Sequence, residues 1–230
     1  MSKKEKKESI IIALGGSLIV PDEINVSFLK EMKVLLRELS SQYQIALVVG
    51  GGKTARKYQA AAKHFPHLSN NDLDWIGIKS ICLNAELLYR IFSDLNLYKE
   101  IIWRWEDARG IQEDIIIAGA WEPGYSSDTD AVELARVLSS KQVINFSNIN
   151  YVYREDPRKN PNAERYERLS WKEYQALIPD TWVPGLSAPF DPVASRLAEE
   201  YGLRVVVLGA SLENLKKYLE ARDFEGTIIE

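Results

Sequence analysis

The sequence has few cysteines, few histidines and no long apolar runs. Its single cysteine, Cys82, cannot form an intrachain disulfide, so we expect a reduced, cytoplasmic compartment. No apolar run reaches the length that spans a membrane, and no signal peptide is recognisable. The two histidines, His64 and His67, have no cysteine or acidic partner at metal-ligand spacing. The sequence therefore predicts no metal site built from protein side chains.

An excess of positive charge is also missing. The chain has 29 Lys and Arg against 33 Asp and Glu, a net charge of -4. This balance argues against broad nucleic-acid binding, although it leaves room for a local basic pocket. The 230 residues and the hydrophobic fraction of 46% are ordinary for one α/β domain. We expect a disordered charged tail over 1–8 and a single domain over 9–230.

Apolar runs alternate with amphipathic segments along the chain. The runs predict strands at 9–14, 45–49, 115–118, 143–146, 204–208 and 227–229. Helical spacing predicts helices over 26–39, 54–63, 72–95 with a break near Gly77, 128–138, 171–178, 192–201 and 211–220. Residues 154–165 and 179–190 are predicted as loops. Strands separated by helices predict a three-layer α/β sandwich, with a mainly parallel central sheet and helices on both faces.

Three consecutive glycines, at 50–52, stand where a predicted strand turns into a helix. Without a Cβ the backbone can approach a ligand there, and the N–H groups of a helix N-terminus favour an anion. Lys53 and Arg56 add positive charge. The pattern indicates a phosphate cradle, or a turn whose glycines only permit tight packing. A second glycine turn at 15–17 favours the cradle, although neither turn has Walker A or G-x-G-x-x-G spacing.

Two further strand ends carry polar side chains, and strand ends are where such sheets bind ligands. The segment 119–130 contains Ser126 and Ser127, which can donate to phosphate oxygens. Asp128 stands at the predicted start of a helix, so it is either the N-cap or a carboxylate that organises a magnesium-nucleotide. In the segment 147–157, Tyr153 either stacks on a base or fills the core. The spacing leaves both alternatives open.

Taken together, these segments resemble the amino-acid kinase superfamily and, within it, the archaeal-type uridylate kinases. The matching pieces follow the family's order over nearly the whole chain after the tail. They are Leu14-Gly15-Gly16-Ser17, residues 49–58, Asp74-Trp75-Ile76-Gly77, Asn84-Ala85, residues 122–128, Ser147-Asn148-Ile149, Val152-Tyr153, Asp156-Pro157, Asp191-Pro192 and residues 226–230.

The resemblance implies transfer of the γ-phosphoryl group of ATP, carried with Mg²⁺, to UMP in pyrimidine nucleotide biosynthesis. It implies that Asp128 organises the active site, and we add Lys53 as a catalytic candidate. The implied ATP-binding residues are Gly15, Gly16, Ser17, Gly52, Arg56, Ser147, Tyr153 and Asp156. The implied UMP-binding residues are Gly51, Asp74, Trp121, Glu122, Pro123, Gly124, Tyr125, Ser126 and Ser127. The resemblance also implies a homo-oligomer, a hexamer built from dimers.

The chain departs from the family pattern at two places. Many members carry a lysine immediately before the first glycine turn, where this chain has Ala13, which leaves Lys53 or Arg196 as the alternative cation. The usual Asp-Gly after the fourth strand is Asn150-Tyr151 here. A same-fold kinase for another small phosphate or carboxylate, or a non-catalytic nucleotide-binding module, therefore stays as an alternative. Isopentenyl phosphate is disfavoured as the acceptor. The related kinases that act on it have a histidine after the glycine turn, and this chain has Lys53-Thr54-Ala55-Arg56 there.

Overall fold

The computed structural model describes residues 7–181 and 188–230. Nine strands occur in these ranges: β1 Glu8–Leu14, β2 Tyr43–Val49, β3 Ile115–Ala118, β4 Gln142–Phe146, β5 Val152–Tyr153, β6 Arg165–Tyr166, β7 Arg168–Leu169, β8 Arg204–Leu208 and β9 Thr227–Ile229. The α-helices of the same ranges are α1 Gly16–Ile19, α2 Val26–Leu39, α3 Gly52–Ala62, α4 Asn70–Ile91, α5 Ser127–Leu138, α6 Trp171–Gln175, α7 Pro192–Glu200 and α8 Leu212–Leu219.

Seven of the strands form one sheet in the order β3-β2-β1-β4-β8-β9-β7. Every neighbouring pair is parallel except β8 and β9. The mainly parallel sheet predicted from the sequence is therefore confirmed. Leu14 at the end of β1 pairs with Val49 on one side and with Phe146 on the other. The carboxyl ends of β1, β2 and β4 consequently lie side by side at one edge of the sheet.

Helices cover both faces of this sheet, because side chains alternate between the faces along each strand. On one face Ile10 and Ile12 pack in a cluster with Met32 of α2 and Leu88 of α4. On the other face Ile11 belongs to a cluster formed with α5 and α7. Burial on both faces explains why the central strands read as continuous apolar runs.

The long helix α4 differs from the prediction, because it continues through Gly77 without a break. A Cβ at Gly77 would lie 2.7 Å from the Nε2 atom of Gln59 on α3. That Nε2 atom donates to the carbonyl of Leu73, also on α4. The glycine therefore makes room for a contact between two helices, although glycine costs about 1 kcal/mol relative to alanine inside a helix.

Smaller differences concern segment boundaries. β1 begins at Glu8, and Lys7 forms an ion pair with Asp114, so the end of the predicted tail is part of the folded chain. Residues 1–6 of that tail lie outside the described residues, as does 182–187 within the predicted loop 179–190. The predicted loop 154–165 leads into β6, which pairs antiparallel with β5. No helix in the described ranges is long and apolar enough to cross a membrane.

Candidate active site

The two glycine turns contact each other at the carboxyl edge of the sheet. The N–H of Gly50 donates to the carbonyl of Leu14 at 3.0 Å, which ties the second turn to β1. A Cβ on Gly16 would lie 2.0 Å from the nitrogen of Gly52 and 2.5 Å from the oxygen of Gly50. Gly52 has a φ of 66°, which strains any residue with a side chain. Tight packing of the turns is thus confirmed as one reason for the glycines.

The second turn also presents unpaired N–H groups. Within the part of the chain that the structure describes, the N–H groups of Gly51 and Gly52 donate to no backbone or side-chain acceptor. They stand at the N-terminus of α3, where the helix dipole adds partial positive charge. Arg56, one turn further along α3, is exposed and can grip a phosphate with two donors. This arrangement suits a bound phosphate group.

A cavity of about 230 Å³ adjoins this turn. It unites residues that the sequence predicted for UMP, Gly51, Asp74, Tyr125, Ser126 and Ser127, with Gly52, Arg56 and Asp128. Sequence reasoning missed Gln59 in the cavity wall, because its polar side chain looked like any surface position of α3. Volume alone does not single this cavity out, since one of about 420 Å³ lies beside Asn150 and Gly209. Its distinction is the set of charged and polar groups around it.

Asp128 does not cap α5. The N-cap is Ser126, whose hydroxyl accepts from the N–H of Thr129 at 3.1 Å, so the N-cap alternative for Asp128 is wrong. The Asp128 carboxylate instead accepts from the N–H of Asp191 at 3.1 Å and from Nδ2 of Asn145 at 3.2 Å. It thereby joins α5 to β4 and to the start of α7.

Asp128 and Asp191 line this corner of the cavity, and the buried Asp130 interacts electrostatically with both. Asp191 is the predicted N-cap of α7, confirmed by bonds from the N–H groups of Val193 at 2.7 Å and Ala194 at 3.0 Å. Burial and the charge of Asp191 raise the pKa of Asp128 to about 8. Burial, with the charges of Asp128 and Asp191, raises the pKa of Asp130 well above its usual value. A cationic ligand would lower these raised pKa values and so favour the ionised carboxylates.

Asp74 joins α4 to the loop that precedes α5. Its Oδ2 atom accepts from the N–H of Gly124 at 2.7 Å, and burial raises its pKa. The ring of Trp121 in this loop lies 4.3 Å from the guanidinium of Arg104, which precedes β3 in the chain. Trp121, Glu122, Pro123 and Gly124 belong to this loop but do not line the cavity. The loop therefore borders the cavity through Tyr125, Ser126 and Ser127, and its bond to Asp74 ties it to α4.

The two alternative cations do not line this cavity. The ammonium of Lys53 pairs with the carboxylate of Asp22, and both side chains are partly exposed. Arg196 donates to the carbonyl of Asp180 at 3.2 Å. Ala13 is buried in the middle of the sheet, next to Asn145 on β4. Among the described residues, Arg56 is therefore the one cationic side chain in the cavity wall.

The remaining residues predicted for ATP lie on the β4 side of the first turn. The N–H of Ser147 donates to the carbonyl of Leu208 at 3.0 Å, and a Cβ on Gly15 would lie 3.1 Å from the Ser147 Cβ. Tyr153 contacts Tyr151 edge to face, at 6.2 Å between ring centres. Asp156 forms an ion pair with Arg158 at 2.9 Å. Tyr153 belongs to the separate two-stranded sheet of β5 and β6, and none of these four residues lines the cavity.

Comparison with known proteins supports the fold described above. Residues 8–209 match the model of the amino acid kinase family. The uridylate kinase of Pyrococcus abyssi is 32% identical over 202 residues, covering 87% of this chain and 89% of the relative. The uridylate kinase of Thermoplasma acidophilum is 31% identical over 226 residues, covering 97% of each. The crystal structure of uridylate kinase from Archaeoglobus fulgidus superposes with a TM-score of 0.80 at 27% identity, covering 96% of this chain and 99% of that one.

Proposed function

This chain belongs to the amino acid kinase family, and from that premise we propose that it transfers the γ-phosphoryl group of ATP to UMP, giving ADP and UDP. The observation that carries the proposal is the cavity in which Arg56, Asp74 and Asp128 meet beside two interlocked glycine turns. The identity to several uridylate kinases over most of their length supports UMP as the acceptor.

In this proposal the acceptor occupies the cavity. Its phosphate accepts from the free N–H group of Gly51 and from the hydroxyl of Ser127, while the hydroxyl of Ser126 donates to Asp191 in the same wall. Arg56, which the sequence assigned to ATP, lines this space too and so faces the phosphates of both substrates. Asp74 accepts from the ribose hydroxyls while its other oxygen keeps the bond from Gly124. The support is that all these groups except Gly124 line one space of about 230 Å³.

ATP lies across the first turn, with its phosphates at Gly15, Gly16, Ser17, Gly52 and Ser147 and its nucleoside toward Tyr153 and Asp156. Within the described ranges no group of three or more His, Cys, Asp or Glu side chains is arranged to hold a metal ion. The Mg²⁺ that accompanies ATP would be carried by the nucleotide, with Asp128 and Asp191 of the cavity wall as the acidic groups that would attract it. When bound, it neutralises phosphate charge and lowers the repulsion between the two substrates.

The chain itself acts by positioning and by charge neutralisation. The attacking group is a phosphate oxygen, so no strong general base is needed. Because Ala13 provides no cation, Arg56 is the side chain that stabilises negative charge in the transition state. Asp128, held by Asn145 and by the N–H of Asp191, keeps the cationic groups of the site in register.

The test is an ADP-release assay with UMP, CMP, isopentenyl phosphate and N-acetylglutamate as separate acceptors. We expect the highest kcat/KM with UMP. Preference for another acceptor would make the chain a same-fold kinase with a different substrate. Binding of ATP without turnover of any acceptor would favour the non-catalytic alternative, which Ala13 motivates.

We also propose that the protein is cytoplasmic and works as a homo-oligomer. Support for assembly comes from exposed large apolar side chains on neighbouring helices, such as Tyr58 on α3 and Leu83 on α4. Light scattering coupled to gel filtration would measure the mass in solution. A hexamer is the expected result, and a monomer at micromolar concentration would contradict it.

A further inference from the structure

We propose that Asn84 is a positioning residue for the phosphate cradle, acting through the peptide bond between Gly50 and Gly51. Asn84 lies on α4 and is 3% exposed. Its Nδ2 atom donates to the carbonyl oxygen of Gly50 at 2.9 Å. The side chain reaches no proposed substrate position itself, so any effect on phosphate binding passes through the turn. The inference rests on the proposed function only in assigning the phosphate to UMP.

The bond to Asn84 fixes the direction of one N–H group. A trans peptide is planar, and its C=O and N–H point to opposite sides. With the Gly50 carbonyl directed at Asn84, the N–H of Gly51 points away from Asn84. That N–H is one of the groups without an acceptor in the described chain. Asn84 thus holds a free donor in a fixed orientation.

This restraint matters because glycines flank the peptide on both sides. Rotating the peptide changes ψ of Gly50 and φ of Gly51, and neither residue has a Cβ to oppose the change. The N–H of Gly50 is anchored to Leu14 on β1 at 3.0 Å, but that bond holds only the preceding peptide. No backbone N–H in the described ranges donates to the Gly50 carbonyl, so Asn84 is its restraint. The glycines that permit the turn create the freedom that Asn84 removes.

The competing interpretation is that Asn84 only provides a hydrogen bond to the buried Gly50 carbonyl and stabilises the fold. The two roles differ in what they do to ligands. A positioning role weakens ligands that carry a phosphate at the cradle and spares those that lack one. A structural role lowers the stability of the protein and affects both kinds of ligand equally. The comparison of UMP with uridine separates them.

The experiment measures binding of UMP and of uridine by calorimetry, in the absence of ATP, to the full chain and to Asn84→Ala. The matched control is Ser80→Ala, one turn earlier on α4, where a buried hydroxyl donates only to Ile76 within the helix. We expect Asn84→Ala to weaken UMP about tenfold or more, the scale of one hydrogen bond to a charged group. Uridine binding should change less than twofold. Ser80→Ala should leave both affinities unchanged.

Equal losses for UMP and uridine, or unchanged UMP affinity in a folded variant, would overturn the proposal. If Asn84→Ala does not fold, Asn84→Ser is measured in the same way, and failure of both to fold makes Asn84 structural and also overturns it. Wild-type protein that binds UMP without phosphorylating it would refute the proposed function and leave this inference standing. If wild-type protein binds no UMP, ATP and adenosine replace UMP and uridine in the same comparison.

Discussion

Replacing Asp128 with asparagine separates a structural role from a catalytic one, because the two side chains have nearly the same shape. The cap of α5 is untouched, since Ser126 provides it. Asparagine keeps one acceptor oxygen, so one of the bonds from Asn145 and from the Asp191 N–H is lost. A buried donor left without a partner costs about 1–3 kcal/mol. For a chain of this size each kcal/mol corresponds to about 2–4 °C in Tm.

The pKa of Asp128 makes the stability difference depend on pH. Its pKa is raised from 3.8 to about 8, so the folded state binds a proton that the unfolded state releases between these values. This proton uptake favours the folded state fully below pH 3.8, and its contribution to the free energy of unfolding is lost progressively as the pH rises from 3.8 through about 8. The stability advantage of wild type over Asp128→Asn should therefore shrink from pH 5 to pH 8. Chemical denaturation of both proteins at several pH values measures this.

The catalytic role needs the negative charge that asparagine lacks. We expect kcat to fall by about two to three orders of magnitude, the scale of single electrostatic contributions at active sites. In wild type, kcat/KM should rise with pH up to about 8, because it reports the ionisation of the free enzyme. Steady-state turnover and thermal unfolding on one preparation decide the matter. Near-wild-type turnover would refute the reasoning and move the search for the organising acid to Asp130 or Asp191.

Three further substitutions test other parts of the site. Arg56→Ala should weaken nucleotide binding by about 1.5–3 kcal/mol, the range for hydrogen bonds to charged groups, whereas Lys57→Ala, an exposed neighbour outside the cavity wall, should change binding little. Equal effects in titration calorimetry would mean that only net charge matters. Asp74→Asn keeps an oxygen for the Gly124 N–H, so it should raise KM for UMP far more than KM for ATP, and steady-state kinetics showing an effect on ATP alone would place Asp74 at the other substrate. Gly16→Ala should abolish turnover, because its Cβ would lie 2.0 Å from backbone, while Gly15→Ala, with contacts of 3.1 Å or more, should retain a measurable rate. Comparable activity of the two glycine variants would contradict the interlocked turns.

Much of the fold could be predicted from local patterns. The helix over 26–39 and the strands over 115–118, 204–208 and 227–229 have the predicted bounds. These segments carry their own signal, since burial on a regular helix or strand imposes a period on the sequence. Gly77 shows where such reasoning fails. Its low helix propensity predicted a break, but the packing of Gln59 across α4 outweighs that preference.

The candidate site divides in a similar way. The sequence alone determined the two glycine turns and the place of Arg56 one helical turn after the second, because these residues are neighbours along the chain. Only the tertiary structure decided which partner each side chain meets. Lys53 turns to Asp22, Asn84 reaches Gly50, and Asp128 accepts from Asp191 rather than capping its own helix. These partners are far apart in sequence, and the alignment of strand ends and the packing of α3, α4, α5 and α7 bring them together. No pattern in one segment can encode such a choice, because it depends on the distances between segments.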